Sequence, residues 1–213
     1  MATRGAWYSL AVIAMINSLT KSDLIAFENE IADLFLAKQI RAPIHLSSGN
    51  EQQLIDIFEQ HVNDQDYVLS NWRSHYHCLL KGVPPMELRQ SILEGHSIAL
   101  CFPKYRILSS AIVGGMAPIA VGLAMGIKRK SEQRKVVVFI GDMTSLTGIV
   151  HESMEYSRRH ALPVLWIIED DGRSVYTDTQ AAWGPFVKDR TNVIRYEYRN
   201  KYPHVGLEKF VSF

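Results

Sequence analysis

The chain is poor in several features that would have settled its class at once. It has two cysteines, Cys78 and Cys101. They form no metal-ligand spacing and no disulfide framework, which points to a reducing compartment. The net charge is +1, so no strongly basic surface argues for nucleic acid. The small basic clusters, Lys128-Arg129-Lys130 and Arg158-Arg159, read as solvated helix ends. No apolar run is long enough to span a bilayer. The apolar run Trp7 to Ile16, preceded by Arg4, fits either a signal peptide or a buried helix or interface arm. Asn17-Ser18-Leu19-Thr20 lacks the small-x-small cleavage pattern, which favours the helix or arm. A cytoplasmic protein without membrane or nucleic-acid partners is the expectation. Internal repeats and low-complexity tracts are absent.

What is present is ordinary globular material. With 213 residues, 47% of them hydrophobic and 21% charged, the chain suits one α/β domain plus an arm. We take residues 1–20 as the arm and 21–213 as the domain. Residues 21–40 have helical spacing through Leu24, Phe27, Ile31, Leu34 and Phe35, with Ser22 as a plausible cap. Residues 42–49 read as a loop, 51–62 as a helix, and Tyr67-Val68-Leu69 as a short strand. Pro84-Pro85 opens a further helix, to about residue 94. The stretch from Cys101 to Ser110 has no clear period and reads as a loop. A helix rich in small residues follows, about Met116 to Lys130. Its Ala117, Ala120, Gly122, Ala124 and Gly126 suggest close backbone approach, because glycine costs about 1 kcal/mol of helix propensity against alanine.

The most informative stretch comes next. Lys135 to Ile140 is a continuous β-branched run, as expected of a central parallel strand. Gly141-Asp142 ends it, and a helix follows from about Leu146 to His160. Pro163 to Ile168 is a second buried strand, ended by Glu169-Asp170-Asp171-Gly172. This β-α-β unit implies a doubly wound, mostly parallel sheet with helices on both faces. Ligands in such sheets sit at the carboxyl ends of the strands, where Asp142 and Asp171 fall. Two acidic strand ends opening on one face can hold a hard cation shared with phosphates. The following helix N-terminus would aim amide groups at those phosphates. The alternative is that both are turn and cap residues.

Gly141-Asp142, then Leu162-Pro163, an apolar strand and Glu169-Asp170-Asp171, resemble the thiamine diphosphate signature. The version here is most similar to the alpha subunit of the decarboxylating component of 2-oxo acid dehydrogenase complexes. Upstream motifs extend the resemblance in order: His45 with Gly49-Asn50-Glu51, then Trp72-Arg73-Ser74-His75, then Ile112-Val113-Gly114 before the small-residue helix. Together they cover about residues 20–180. The resemblance implies thiamine diphosphate held through Mg2+, with Asp142, Asp171 and the carbonyl of Arg173 as metal ligands. It implies cofactor contacts from Trp72, Arg73, Ile112, Val113, Gly141, Asp142, Met143, Thr144 and Asp171. His45 and His75 would polarise substrate or move a proton, and His204 in Tyr202-Pro203-His204-Val205-Gly206 would supply a short equivalent of the family's closing loop. Glu152 matches a family acid that could orient a partner subunit or cap backbone.

The family pattern also implies a beta-like subunit, which carries the Glu that activates the aminopyrimidine, in a heterotetramer of two alpha-like and two beta-like chains. The implied reaction is decarboxylation of a 2-oxo acid and transfer of the acyl or aldehyde unit. Transketolase-like ketol transfer on a ketose, or carboligation, is the alternative within the cofactor class. A non-catalytic partner subunit that keeps the fold is the alternative outside it. Three departures stand out. Met143 replaces the last Gly of Gly-Asp-Gly, and Asp171 replaces an Asn. The sequence ends at Phe213, earlier than the usual alpha subunit, which weakens docking into a lipoyl complex.

Overall fold

The computed structural model describes residues 19–185 and 192–208. The apolar run Trp7 to Ile16 lies outside them. Among the described residues, no helix is long and apolar enough to cross a membrane.

The first helix, α1 (Lys21–Leu36), starts at residue 21 as its spacing suggests and ends four residues before the expected residue 40. Thr20, not Ser22, is the cap, and it forms a reciprocal capping box with Asp23. Helix α2 (Glu51–His61), strand β1 (Tyr67–Ser70), and helices α3 (His75–Leu80) and α4 (Pro85–Leu93) follow. The segment expected to be a loop holds two short strands, β2 (Cys101–Phe102) and β3 (Ile107–Ser109). Strands this short show no period, so the sequence concealed them.

Helix α5 (Met116–Arg129) leads to β4 (Val136–Gly141), a short helix α6 (Asp142–Ser145), α7 (Gly148–Arg159) and β5 (Val164–Asp170). A hairpin, β6 (Arg173–Ser174) with β7 (Thr177–Asp178), precedes helix α8 (Thr179–Trp183) and strand β8 (Val193–Glu197).

The main sheet among the described residues runs β2-β3-β1-β4-β5-β8. Every pairing is parallel except β2 with β3 at one edge. Alternation along β4 builds two cores. Val137 and Phe139 pack with α1 to α4 on one face. Val136, Val138 and Ile140 pack with α5 and α7 on the other. Both faces are covered, which is why β4 reads as an unbroken apolar run. Of the small residues on α5, Ala117, Ala120 and Ala124 are buried. A side chain at Gly122 or Gly126 would meet nothing within 4 Å, so these two glycines do not serve close packing among the described residues.

From β1 the chain crosses to β3 on one side; from β4 it crosses to β5 on the other. The crevice between the carboxyl ends of β1 and β4 is therefore the point where the winding reverses, the usual place for a ligand in such sheets.

Candidate active site

Three strand ends build the site. Beyond β1 lie Asn71, Trp72 and Arg73; beyond β4, Asp142, Met143 and Thr144; beyond β5, Asp171 and Arg173. Because β4 and β5 pair in parallel, with Gly141 opposite Glu169, their acidic ends emerge on the same edge. All these residues line one open cleft, together with Gly141 and His204.

The electrostatics are mixed in sign. Burial pushes the Asp142 carboxyl up to about 6, opposed by a hydrogen bond from the Thr179 hydroxyl and abetted by Asp170 and Asp171. Burial also raises Asp171, while the Arg73 guanidinium 3.8 Å away pulls it down. Arg73 donates weakly to the carbonyl of His204, at 3.5 Å. Among the described residues its Nε is buried with no partner, as is the indole Nε1 of Trp72. Unpaired buried donors are costly, and two of them in a cleft lined by an arginine suit an anion with several acceptor oxygens. Among the described residues, no group of three or more His, Cys, Asp or Glu side chains could hold a metal ion. A divalent cation here would rest on at most two carboxylates and share oxygens with its ligand, as Mg2+ does with phosphates. The residues therefore fit a diphosphate bridged by a cation. Met143, in the place of a family glycine, lines the cleft with its side chain half-buried.

The three histidines separate. His204 lines the cleft. His45 stands behind it, 4.8 Å from its ring, with Nδ1 hydrogen-bonded to the His204 carbonyl. Burial and the neighbouring His204 hold His45 down at about 4, so it is neutral at physiological pH. His75 does not reach the cleft. It is fully buried, with Nδ1 on Glu28 at 2.8 Å and Nε2 on Ser97 at 3.0 Å. Both ring nitrogens are occupied, which suits a structural role. Ile112 and Val113 also lie outside the cleft, on the surface, 74% and 55% exposed. Glu152 is exposed on α7.

The C-terminal segment is tied across residues 44–51. Ser48 Oγ donates to Asn200 Oδ1, Asn200 Nδ2 donates to the Leu46 carbonyl, and the Gly206 amide donates to the Ile44 carbonyl. These ties bring His204 to the cleft from far along the chain.

Several residues of the site escaped the sequence reading. Glu169 was seen only as part of the end of its strand. It is buried and accepts from Asn50 Nδ2 (3.4 Å), Asn71 Nδ2 (3.1 Å) and Tyr196 Oη (2.6 Å). It also meets His77 Nε2 at 3.2 Å. Burial would raise its carboxyl, but these partners, His77 foremost, leave it below the ordinary value. Asn71 Oδ1 in turn accepts from the Arg73 amide at 2.7 Å, so Glu169 braces the backbone of the arginine. No local pattern announces contacts that span 98 or 119 positions. Thr179 on Asp142 was missed for the same reason.

The family model for the dehydrogenase E1 component matches residues 21–183. The alpha subunit of acetoin:2,6-dichlorophenolindophenol oxidoreductase from Cupriavidus necator is 30% identical over 156 residues, 68% of this chain and 46% of that protein. Its counterpart from Bacillus subtilis is 27% identical over 161 residues, 70% of this chain and 48% of that protein. The alpha subunit of the pyruvate dehydrogenase E1 component from Zymomonas mobilis is 24% identical over 166 residues, 73% of this chain and 47% of that protein. The chain thus spans about half the length of these relatives.

Proposed function

The chain belongs to the dehydrogenase E1 component family, and on that premise we propose that it is the alpha-like, diphosphate-clamping subunit of a two-subunit thiamine diphosphate-dependent enzyme. The proposed reaction decarboxylates a small 2-oxo acid and passes on the acyl or aldehyde unit. The observation that carries this reading is the convergence, at the reversal point of the sheet, of two unpaired buried donors with two carboxylates: Trp72 and Arg73 facing Asp142 and Asp171.

In this reading Arg73 and Trp72 take phosphate oxygens. Asp142, Asp171 and the Arg173 carbonyl take Mg2+. Thiamine diphosphate, when bound, supplies the electron sink for cleaving the bond beside the carbonyl. The protein's own part is to orient and to exclude water. Neutral His45 holds the His204 backbone, and the His204 ring faces the cleft, where it can donate to or accept from a substrate oxygen. The described residues serve as one domain.

A beta-like partner completes the proposal. The chain offers the diphosphate half of the site, and Ile112, Val113 and Ile149 are exposed apolar side chains. Gly114, backed against Ile149, joins these residues: a Cβ there would lie 2.8 Å from the Ile149 side chain. Exposed apolar groups of this kind mark contact surfaces. Turnover of a 2-oxo acid by the purified chain, with and without the beta-like chain, tests the proposal. Turnover should require both chains; full-rate turnover by this chain alone would contradict it.

A further inference from the structure

Asn50 is 2% exposed and lines the cleft. It sits at the start of α2 but makes no capping bond with its side chain. Its amide group is instead turned inward. Nδ2 donates to Glu169 Oε1 at 3.4 Å and to Tyr196 Oη at 3.1 Å. Glu169 is a pure acceptor when ionised, and the Tyr196 hydroxyl spends its own proton on Glu169. Both partners therefore require the nitrogen, so the orientation of the amide is fixed. Its Oδ1 is left buried with no partner among the described residues.

An unsatisfied buried acceptor in a ligand cleft is an unmade hydrogen bond. It differs in sign from its neighbours, since Trp72 Nε1 and Arg73 Nε are unmade donors. The donors suit anionic oxygens. The acceptor does not, and bare phosphate oxygen beside it would be repelled. What it suits is an O–H. Of the three carboxylates that line the cleft, Glu169 is engaged by Asn50, Asn71, Tyr196 and His77, which leaves Asp142 and Asp171, and no group of three or more His, Cys, Asp or Glu side chains among the described residues could hold a metal ion. A divalent cation held by so few protein oxygens keeps several of its waters. Those waters are O–H donors within the same cleft.

We propose that Asn50 is a specificity-determining residue: its Oδ1, held in place by Glu169 and Tyr196, accepts a hydrogen bond from a water of the cation and so selects the cation–diphosphate complex over the free diphosphate. The inference rests on reading the cleft as a diphosphate site.

Calorimetry on the full chain, with pyrophosphate alone and with pyrophosphate plus Mg2+, tests it. In the wild type Mg2+ tightens pyrophosphate binding. In Asn50→Ala that Mg2+-dependent gain falls about fivefold, the size of one neutral hydrogen bond, while pyrophosphate alone binds as before or tighter. Glu169 keeps three other partners in this variant, and no helix cap is lost. Tyr196→Phe, which frees one side of the amide, shows a smaller loss of the same kind and serves if Asn50→Ala does not fold. An undiminished Mg2+ gain in the folded variants overturns the role of Asn50 and leaves the diphosphate reading standing. No binding of Mg2+–pyrophosphate by the wild type overturns both.

Discussion

The Thr179 hydroxyl donates to Oδ2 of Asp142, tying the helix after the β6–β7 hairpin to the end of β4. The bond is too weak to undo the effect of burial, which leaves the Asp142 carboxyl at about 6. A carboxyl raised in the folded state binds its proton more tightly there than in the unfolded chain. Its contribution to stability is therefore present at low pH and lost as the pH climbs through about 6. Asp142→Asn should remove that part of the pH dependence and stabilise the ligand-free protein at pH 7 by about 1–3 kcal/mol. Thermal unfolding between about pH 4 and pH 7 checks this; an unchanged slope would count against it.

Arg73 should be the main anion contact. Arg73→Lys keeps the charge but loses the planar fork, and thiamine diphosphate affinity should fall about tenfold; Arg73→Ala should cost about a hundredfold. Equilibrium binding in the presence of Mg2+ measures both. Equal losses for the two variants would show that only charge matters.

His75 and His204 should part ways. With both ring nitrogens bonded in full burial, His75→Ala should cost about 2–4 kcal/mol of stability and leave ligand affinity intact in the folded fraction. His204→Ala keeps the backbone carbonyl that His45 and Arg73 use. It should leave the melting temperature within a few degrees and lower turnover in the assembled enzyme. The reverse pattern would reassign the two residues.

Gly49 adopts φ +82, and a Cβ there would lie 2.3 Å from the Arg199 carbonyl oxygen. Gly49→Ala should cost about 2 kcal/mol or more and loosen the C-terminal segment from residues 44–51. Protease cleavage around residues 199–206 should accelerate; unchanged stability and protection would refute the close approach.

Val113→Asp should abolish association with a beta-like chain without lowering the stability of this chain, since the residue is exposed. Size-exclusion chromatography of the co-expressed pair distinguishes the outcomes, and an intact complex would move the interface elsewhere.

The sheet was legible wherever a strand was long and buried on both faces. Val136 to Ile140 and Val164 to Ile168 could be read directly, and with them the position of Asp142 and Asp171. The edge strands β2 and β3 were not, because two or three residues carry no period. Strand β8 also went unread, and its Tyr196 donates to Glu169, which lines the cleft. The histidines show the limit of motif reading. His45 and His75 sit in equally suggestive motifs, but only long-range partners, Glu28 and Ser97 for one and His204 for the other, separate their surroundings. Asn50 lay inside a motif as an unremarked middle residue, and its meaning depends on Glu169 and Tyr196, more than a hundred positions away.

In the proposed function Asp142 helps to hold a cation on which the diphosphate depends. Calorimetric titration of thiamine diphosphate into the chain with Mg2+ present tests it most directly, in the wild type and in Asp142→Ala. Saturable, Mg2+-dependent binding by the wild type, lost in the variant, is the expected outcome. Binding of equal strength in Asp142→Ala, or none in the wild type, would contradict it.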